Sequence, residues 1–101
     1  PILYQGATPV FLDIEADQFL IDLDLLSEAL EHADRHGGTP RVIVTTDLYG
    51  HVVDATRMRQ LADRFGFIWI SDAAEAVGAR QDGVHAGKGA DFAILSFNGN
   101  K

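Results

Sequence analysis

Residues 41–72 read RVIVTTDLYGHVVDATRMRQLADRFGFIWISD, and the distribution of apolar residues in this stretch decides the fold. It opens on RVIVTT (41–46) and closes on FIWIS (67–71), two short runs rich in β-branched and aromatic residues. Both runs are nearly continuous rather than alternating, as expected of strands covered on both faces of a parallel sheet. Between them Met58, Leu61, Ala62 and Phe65 fall three or four positions apart, the spacing that gathers side chains on one face of a helix. Asp54 stands where that helix needs an N-cap, and Gly66 where the chain must leave it. Strand, helix and strand in this order predict a βαβ unit.

Working outward, the same device recurs. Upstream, DLDLLSEALEHADRHGG (22–38) carries Leu23, Leu26, Leu30 and Ala33 at helical spacing, with Asp22 as the cap and Gly37 as the stop. Before it PVFLDI (9–14), and near the chain end DFAILSF (91–97), have the composition of further strands. The segment 72–90, DAAEAVGARQDGVHAGKGA, has no clean amphipathic period, and Asp82-Gly83 marks a tight turn inside it. It is long enough for a crossover between parallel neighbours. The pattern is βαβαβ and then a fourth strand, an α/β fold.

Composition narrows the functions open to such a domain. The 101 residues suit one small domain, and 47% apolar with 23% charged residues is ordinary for a folded, soluble chain. Eight Lys and Arg against 15 Asp and Glu leave a net charge of −7, which opposes attraction to nucleic acid or to an anionic membrane surface. The absence of cysteine excludes disulfides and thiolate metal sites. No run approaches the ~20 apolar residues of a spanning helix, and the first residues lack the zones of a signal peptide, so a cytoplasmic protein is expected. The chain starts at Pro1 and finishes on a loop, which leads us to expect a piece of a longer polypeptide.

In an open parallel sheet, ligands bind beyond the carboxyl ends of the strands. Asp72 follows directly on FIWIS, and SFNGNK (96–101) follows on DFAIL, so both are expected at one edge of the sheet. A lysine amine in a partly desolvated site forms a Schiff base with an aldehyde. An aspartate aimed at a pyridine nitrogen keeps that nitrogen protonated, which is the arrangement that pyridoxal phosphate chemistry needs. Ser96 can offer a hydroxyl to the cofactor phosphate. An aspartate after one strand and a lysine after a later one equally describe a receiver-like module that accepts phosphate on Asp72.

TPVFLDIE, DLYGHVVD, ISDAAEAVGA and SFNGNK, in that order and at these separations, resemble the DegT/StrS family of pyridoxal phosphate-dependent nucleotide-sugar aminotransferases. The resemblance spans essentially the whole chain. It implies a three-layer αβα fold with a mostly parallel sheet, of which residues 1–101 form the middle of the cofactor-binding large domain, without its upstream segment and the C-terminal small domain. By the same resemblance Lys101 stands at the lysine that bonds to the cofactor, Asp72 at the acid on the pyridine nitrogen and Ser96 at a hydroxyl near the phosphate. Glu75 stands where the family commonly has glutamine, and sometimes an acid, beside the phenolic oxygen; an ionised Glu75 would repel that phenolate. Relatives with histidine at the lysine position are dehydratases, and Lys101 separates this chain from them. The resemblance further implies transfer of an amino group from an amino acid, glutamate in the family, to a nucleotide-linked keto-sugar, in cell-surface polysaccharide or secondary-metabolite biosynthesis, by a homodimer. A non-catalytic relative that keeps the fold is the other reading.

The remaining polar residues have plainer roles. His32 and His36 share a helical face, but a third metal ligand is not evident, and no metal is expected. His51 and His85 read as structural or surface residues. Tyr49 and Gly50 end an apolar run at the predicted catalytic edge and suit either a pocket wall or a turn. Phe67 and Trp69 read as sheet core.

Overall fold

The structure, a computed structural model, describes residues 1–99. Helix α1 runs Leu23–His36 and helix α2 runs Ala55–Phe65. The strands are β1 (Val42–Thr46), β2 (Ile68–Asp72), β3 (Arg80–Gln81), β4 (Val84–His85) and β5 (Phe92–Ile94).

Both helices begin and end where their caps direct. The Asp22 carboxylate accepts the amides of Asp24 and Leu25 at 2.9 and 3.0 Å, and Asp54 accepts the Arg57 amide at 3.0 Å. Each such cap stabilises a helix by about 1 kcal/mol. Gly37 and Gly66 then turn the chain out through left-handed backbone. Leu23, Leu26 and Leu30 of α1 and Met58, Leu61 and Ala62 of α2 meet Ile43, Phe67 and Trp69 in the main core. The Trp69 indole N–H donates to Thr45 Oγ1 at 2.9 Å, so its polar atom is satisfied inside that core.

The sheet has the order β1-β2-β5, and both pairings are parallel. Register is fixed by Val44 opposite Ile70, Ile70 opposite Phe92, and Asp72 opposite both Thr46 and Ile94. One face, bearing Ile43, Thr45, Trp69 and Ser71, is buried under α1 and α2. On the other face Val42, Val44, Ile68, Phe92 and Ile94 are all at least 45% exposed. The described residues therefore build two of the three layers expected. Segment 72–90 folds into turns and the β3–β4 hairpin around Asp82-Gly83 and places no helix on the second face.

Two strand boundaries differ from the sequence-based expectation. PVFLDI (9–14) joins no sheet: apart from one antiparallel bridge between Ile14 and Ile21 it is irregular, and Phe11 is 90% exposed. Its hydrogen bonds are local, from the Glu15 amide to Leu20 O and from the Asp22 amide to Asp13 O, and these close a tight bend in place of a ladder. A strand needs a partner for its backbone as well as a suitable composition. The last strand stops at Ile94, so residues 95–97 have already left the sheet.

Candidate active site

The carboxyl edge of the sheet is built by three short loops. After β1 the chain runs through Asp47 into a 3-10 turn at Leu48–Gly50; after β2 it runs through 73–78; after β5 it leaves through 95–99. Because all three strands are parallel, Asp72 and the segment that starts at Leu95 lie at the same edge. Asp72 is bound on both sides there: its carbonyl accepts the Asp47 amide at 2.9 Å, and the next amide, Ala73, donates to Ile94 O at 2.9 Å.

The Asp72 side chain is half-buried on the uncovered face of the sheet, and its Oδ1 accepts the Ala74 amide at 3.2 Å. That bond closes a turn; residues 73–77 are not helical, so Asp72 caps no helix. Among the described residues Oδ2 accepts no hydrogen bond and remains open to a donor from outside the chain. This suits a pyridinium N–H, which needs one unengaged carboxylate oxygen at the end of a rigid strand. Ser96 lies half-buried two residues beyond β5. Lys101 lies outside the described residues.

Glu75 does not stand free. Its Oε2 accepts the Tyr49 amide at 3.2 Å, which joins the loop after β2 to the loop after β1. Tyr49 has φ 54° and ψ 26°, a left-handed conformation that costs a bulky residue roughly 1–3 kcal/mol.

Asp47, to which the sequence pattern assigns no role, is the most deeply placed acid of the edge. It is fully buried; Oδ1 accepts the Val53 amide at 3.0 Å and Oδ2 accepts the Ser71 hydroxyl at 3.1 Å. Burial pushes its carboxyl above the ordinary value of 3.8; the bonds from Val53 and Ser71 pull it back, and the nearby Asp72 charge adds to the rise. Its one signal is its place directly past a buried strand, but burial of a carboxylate is not written in local sequence.

His32 and His36 stack with ring centroids 4.3 Å apart, and His36 Nδ1 lies 2.7 Å from the His32 carbonyl oxygen. Among the described residues no three His, Cys, Asp or Glu side chains gather as metal ligands, and no helix is long and apolar enough to cross a membrane.

The fold is α/β with a parallel sheet, and the solved structures similar to it are pyridoxal phosphate-dependent aminotransferases, which sets the class. Residues 1–101 match the DegT/DnrJ/EryC1/StrS aminotransferase family, and the chain belongs to that family. Its members are pyridoxal phosphate-dependent, and the receiver-like reading of Asp72 falls away with that assignment.

Among curated proteins, the chain is 45% identical over 94 residues to a dTDP-3-amino-3,4,6-trideoxy-alpha-D-glucose transaminase of Micromonospora megalomicea, covering 91% of this chain and 23% of that one. It is 37% identical over 102 residues to GDP-perosamine synthase of Caulobacter vibrioides, covering 99% and 25%. Among solved structures, a DegT DnrJ EryC1 StrS aminotransferase from Brucella abortus superposes with TM-score 0.88 at 30% identity, covering 99% of this chain and 27% of that one. DesI, solved in the presence of its TDP-sugar product, gives TM-score 0.76 at 34% identity, covering 96% and 23%. The chain thus spans about a quarter of the length of the relatives it matches.

Proposed function

We propose that residues 1–101 are the middle of the cofactor-binding large domain of an aminotransferase that moves an amino group from an amino acid, glutamate by the family resemblance, to a nucleotide-linked keto-sugar. The supporting observation is the parallel register that sets Asp72 and the exit of β5 at one edge of the sheet. Two relatives and one solved neighbour are named for nucleotide-sugar chemistry, which supports the substrate class. A cytoplasmic homodimer that serves polysaccharide or secondary-metabolite biosynthesis completes the reading.

Bound pyridoxal phosphate would supply an electron sink for the carbanion formed when a carbon–hydrogen bond next to nitrogen is broken. Asp72 would hold the proton on the pyridine nitrogen through its open Oδ2, a charge-assisted bond of roughly 1.5–3 kcal/mol. Lys101 would bond to the cofactor and, once released, carry the proton as general base. Ser96 would donate its hydroxyl to the phosphate. Glu75, with one oxygen engaged by Tyr49, would stand beside the phenolic side of the ring, where an ionised carboxylate repels the phenolate.

Borohydride reduction of the complete polypeptide in the presence of pyridoxal phosphate tests this reading. Peptide mass analysis should find the reduced cofactor on Lys101. Cofactor on no residue, or on a different lysine, would overturn it.

A further inference from the structure

We propose that Tyr49 is a contact residue for the sugar ring of the nucleotide-linked substrate and that Glu75 is the positioning residue that holds it there; this rests on the aminotransferase reading above. Tyr49 keeps a left-handed backbone, φ 54°, although the residue is 73% exposed. Burial among residues 1–99 therefore does not account for the conformation. What holds it is a set of bonds around the turn: the Tyr49 amide donates to Glu75 Oε2 at 3.2 Å, and the His51 amide to Leu48 O at 3.0 Å. The turn is anchored beneath by the buried Asp47 carboxylate, on Ser71 and Val53.

The result is an aromatic ring fixed at the carboxyl edge, three residues past β1, on a loop tied to a residue three past Asp72. Phe19 meets the Tyr49 ring edge to face, with centroids 6.5 Å apart and planes at 88°, and most of the Tyr49 surface stays open. An exposed phenol held this way offers a flat apolar face to the C–H side of a pyranose and a hydroxyl to one of its oxygens.

Charge selects the sugar over the other parts of the two substrates. The acids that reach the surface of this edge, Asp72 and Glu75, disfavour the carboxylate of an amino-acid donor or a diphosphate beside Tyr49. A sugar ring is neutral. It also carries the reacting carbon, which must reach this edge, whereas the base is held away from it by the diphosphate.

Calorimetric titration of the nucleotide-sugar into the cofactor-free complete polypeptide tests the proposal, with the amino-acid donor titrated into the cofactor-loaded protein for comparison. Tyr49→Ala should weaken nucleotide-sugar binding about three- to tenfold, the range of one well-packed aromatic contact, and shift donor affinity less than twofold. Glu75→Ala should reproduce that loss, while Glu75→Gln, which keeps a carbonyl for the Tyr49 amide, should recover most of it. Unchanged sugar-nucleotide affinity in Tyr49→Ala, an equal loss for the donor, or Glu75→Ala binding as well as Glu75→Gln would each overturn it. If the unmutated protein traps no cofactor on Lys101, the aminotransferase reading fails and carries this proposal down with it.

Discussion

Asp47 Oδ2 accepts the Ser71 hydroxyl at 3.1 Å in the interior of the protein, directly beneath the edge where Asp72 is presented. A buried carboxylate is stable only with its oxygens occupied, and here Val53 and Ser71 occupy them. The bond ties the loop after β1 to β2, and the Asp47 amide on the Asp72 carbonyl repeats the tie one residue on.

That burial makes one contribution to the pH dependence of stability. The folded value of Asp47 lies above its ordinary 3.8, so its contribution is fully present below 3.8 and is lost as pH rises through the folded value. Asp47→Asn keeps the shape and removes the charge. Denaturant unfolding should show the variant gaining on the unmutated protein as pH rises from 3.8 toward neutrality. Parallel pH curves for the two proteins would show that Asp47 is not ionised at this cost.

Asp91 works with the opposite sign at the other end of the sheet. Its Oδ2 accepts the Trp69 amide at 2.7 Å and its Oδ1 the Arg59 guanidinium at 3.2 Å; the amide first, then the cation, hold the carboxyl below 3.8. Its contribution is therefore present above 3.8 and lost as pH falls through the lower folded value. Acid unfolding of Asp91→Asn should be less steep than that of the unmutated protein, and an identical acid limb would refute the assignment.

For Asp72→Asn, turnover should fall roughly ten- to a hundredfold, the equivalent of losing a charge-assisted hydrogen bond. The asparagine oxygen still accepts the Ala74 amide, so the thermal midpoint should move by no more than a surface substitution moves it. The comparison to make is kcat beside the midpoint of the complete polypeptide. Normal turnover would remove Asp72 from the chemistry.

Gly87 marks a close crossing. A Cβ there would lie 2.7 Å from the Ala93 Cβ, and its φ of 76° suits glycine alone. Gly87→Ala should cost about 2 kcal/mol or more in unfolding free energy. Ala93→Gly in the same chain should recover the steric part and leave the backbone part, which a double-mutant cycle separates.

The site is legible in part from the sequence. Asp72 at the end of FIWIS and the two loops leaving one edge can be placed from strand order alone, since parallel strands send their carboxyl ends the same way. Glu75 is recognisable there only through the family resemblance, because its bond to the Tyr49 amide spans two loops and leaves no local trace. Asp47 escapes notice for the same reason.

From the chain alone come α1, α2, their caps, and the runs that become β1, β2 and β5, because helical period, capping and β-branched composition act between residues a few positions apart. Only the tertiary structure decided that residues 9–14 stay outside the sheet, that α1 and α2 share one face, and that Asp47 is buried against Ser71. Those outcomes depend on which distant segment supplies a backbone partner or excludes water, and nothing nearby in the sequence encodes that.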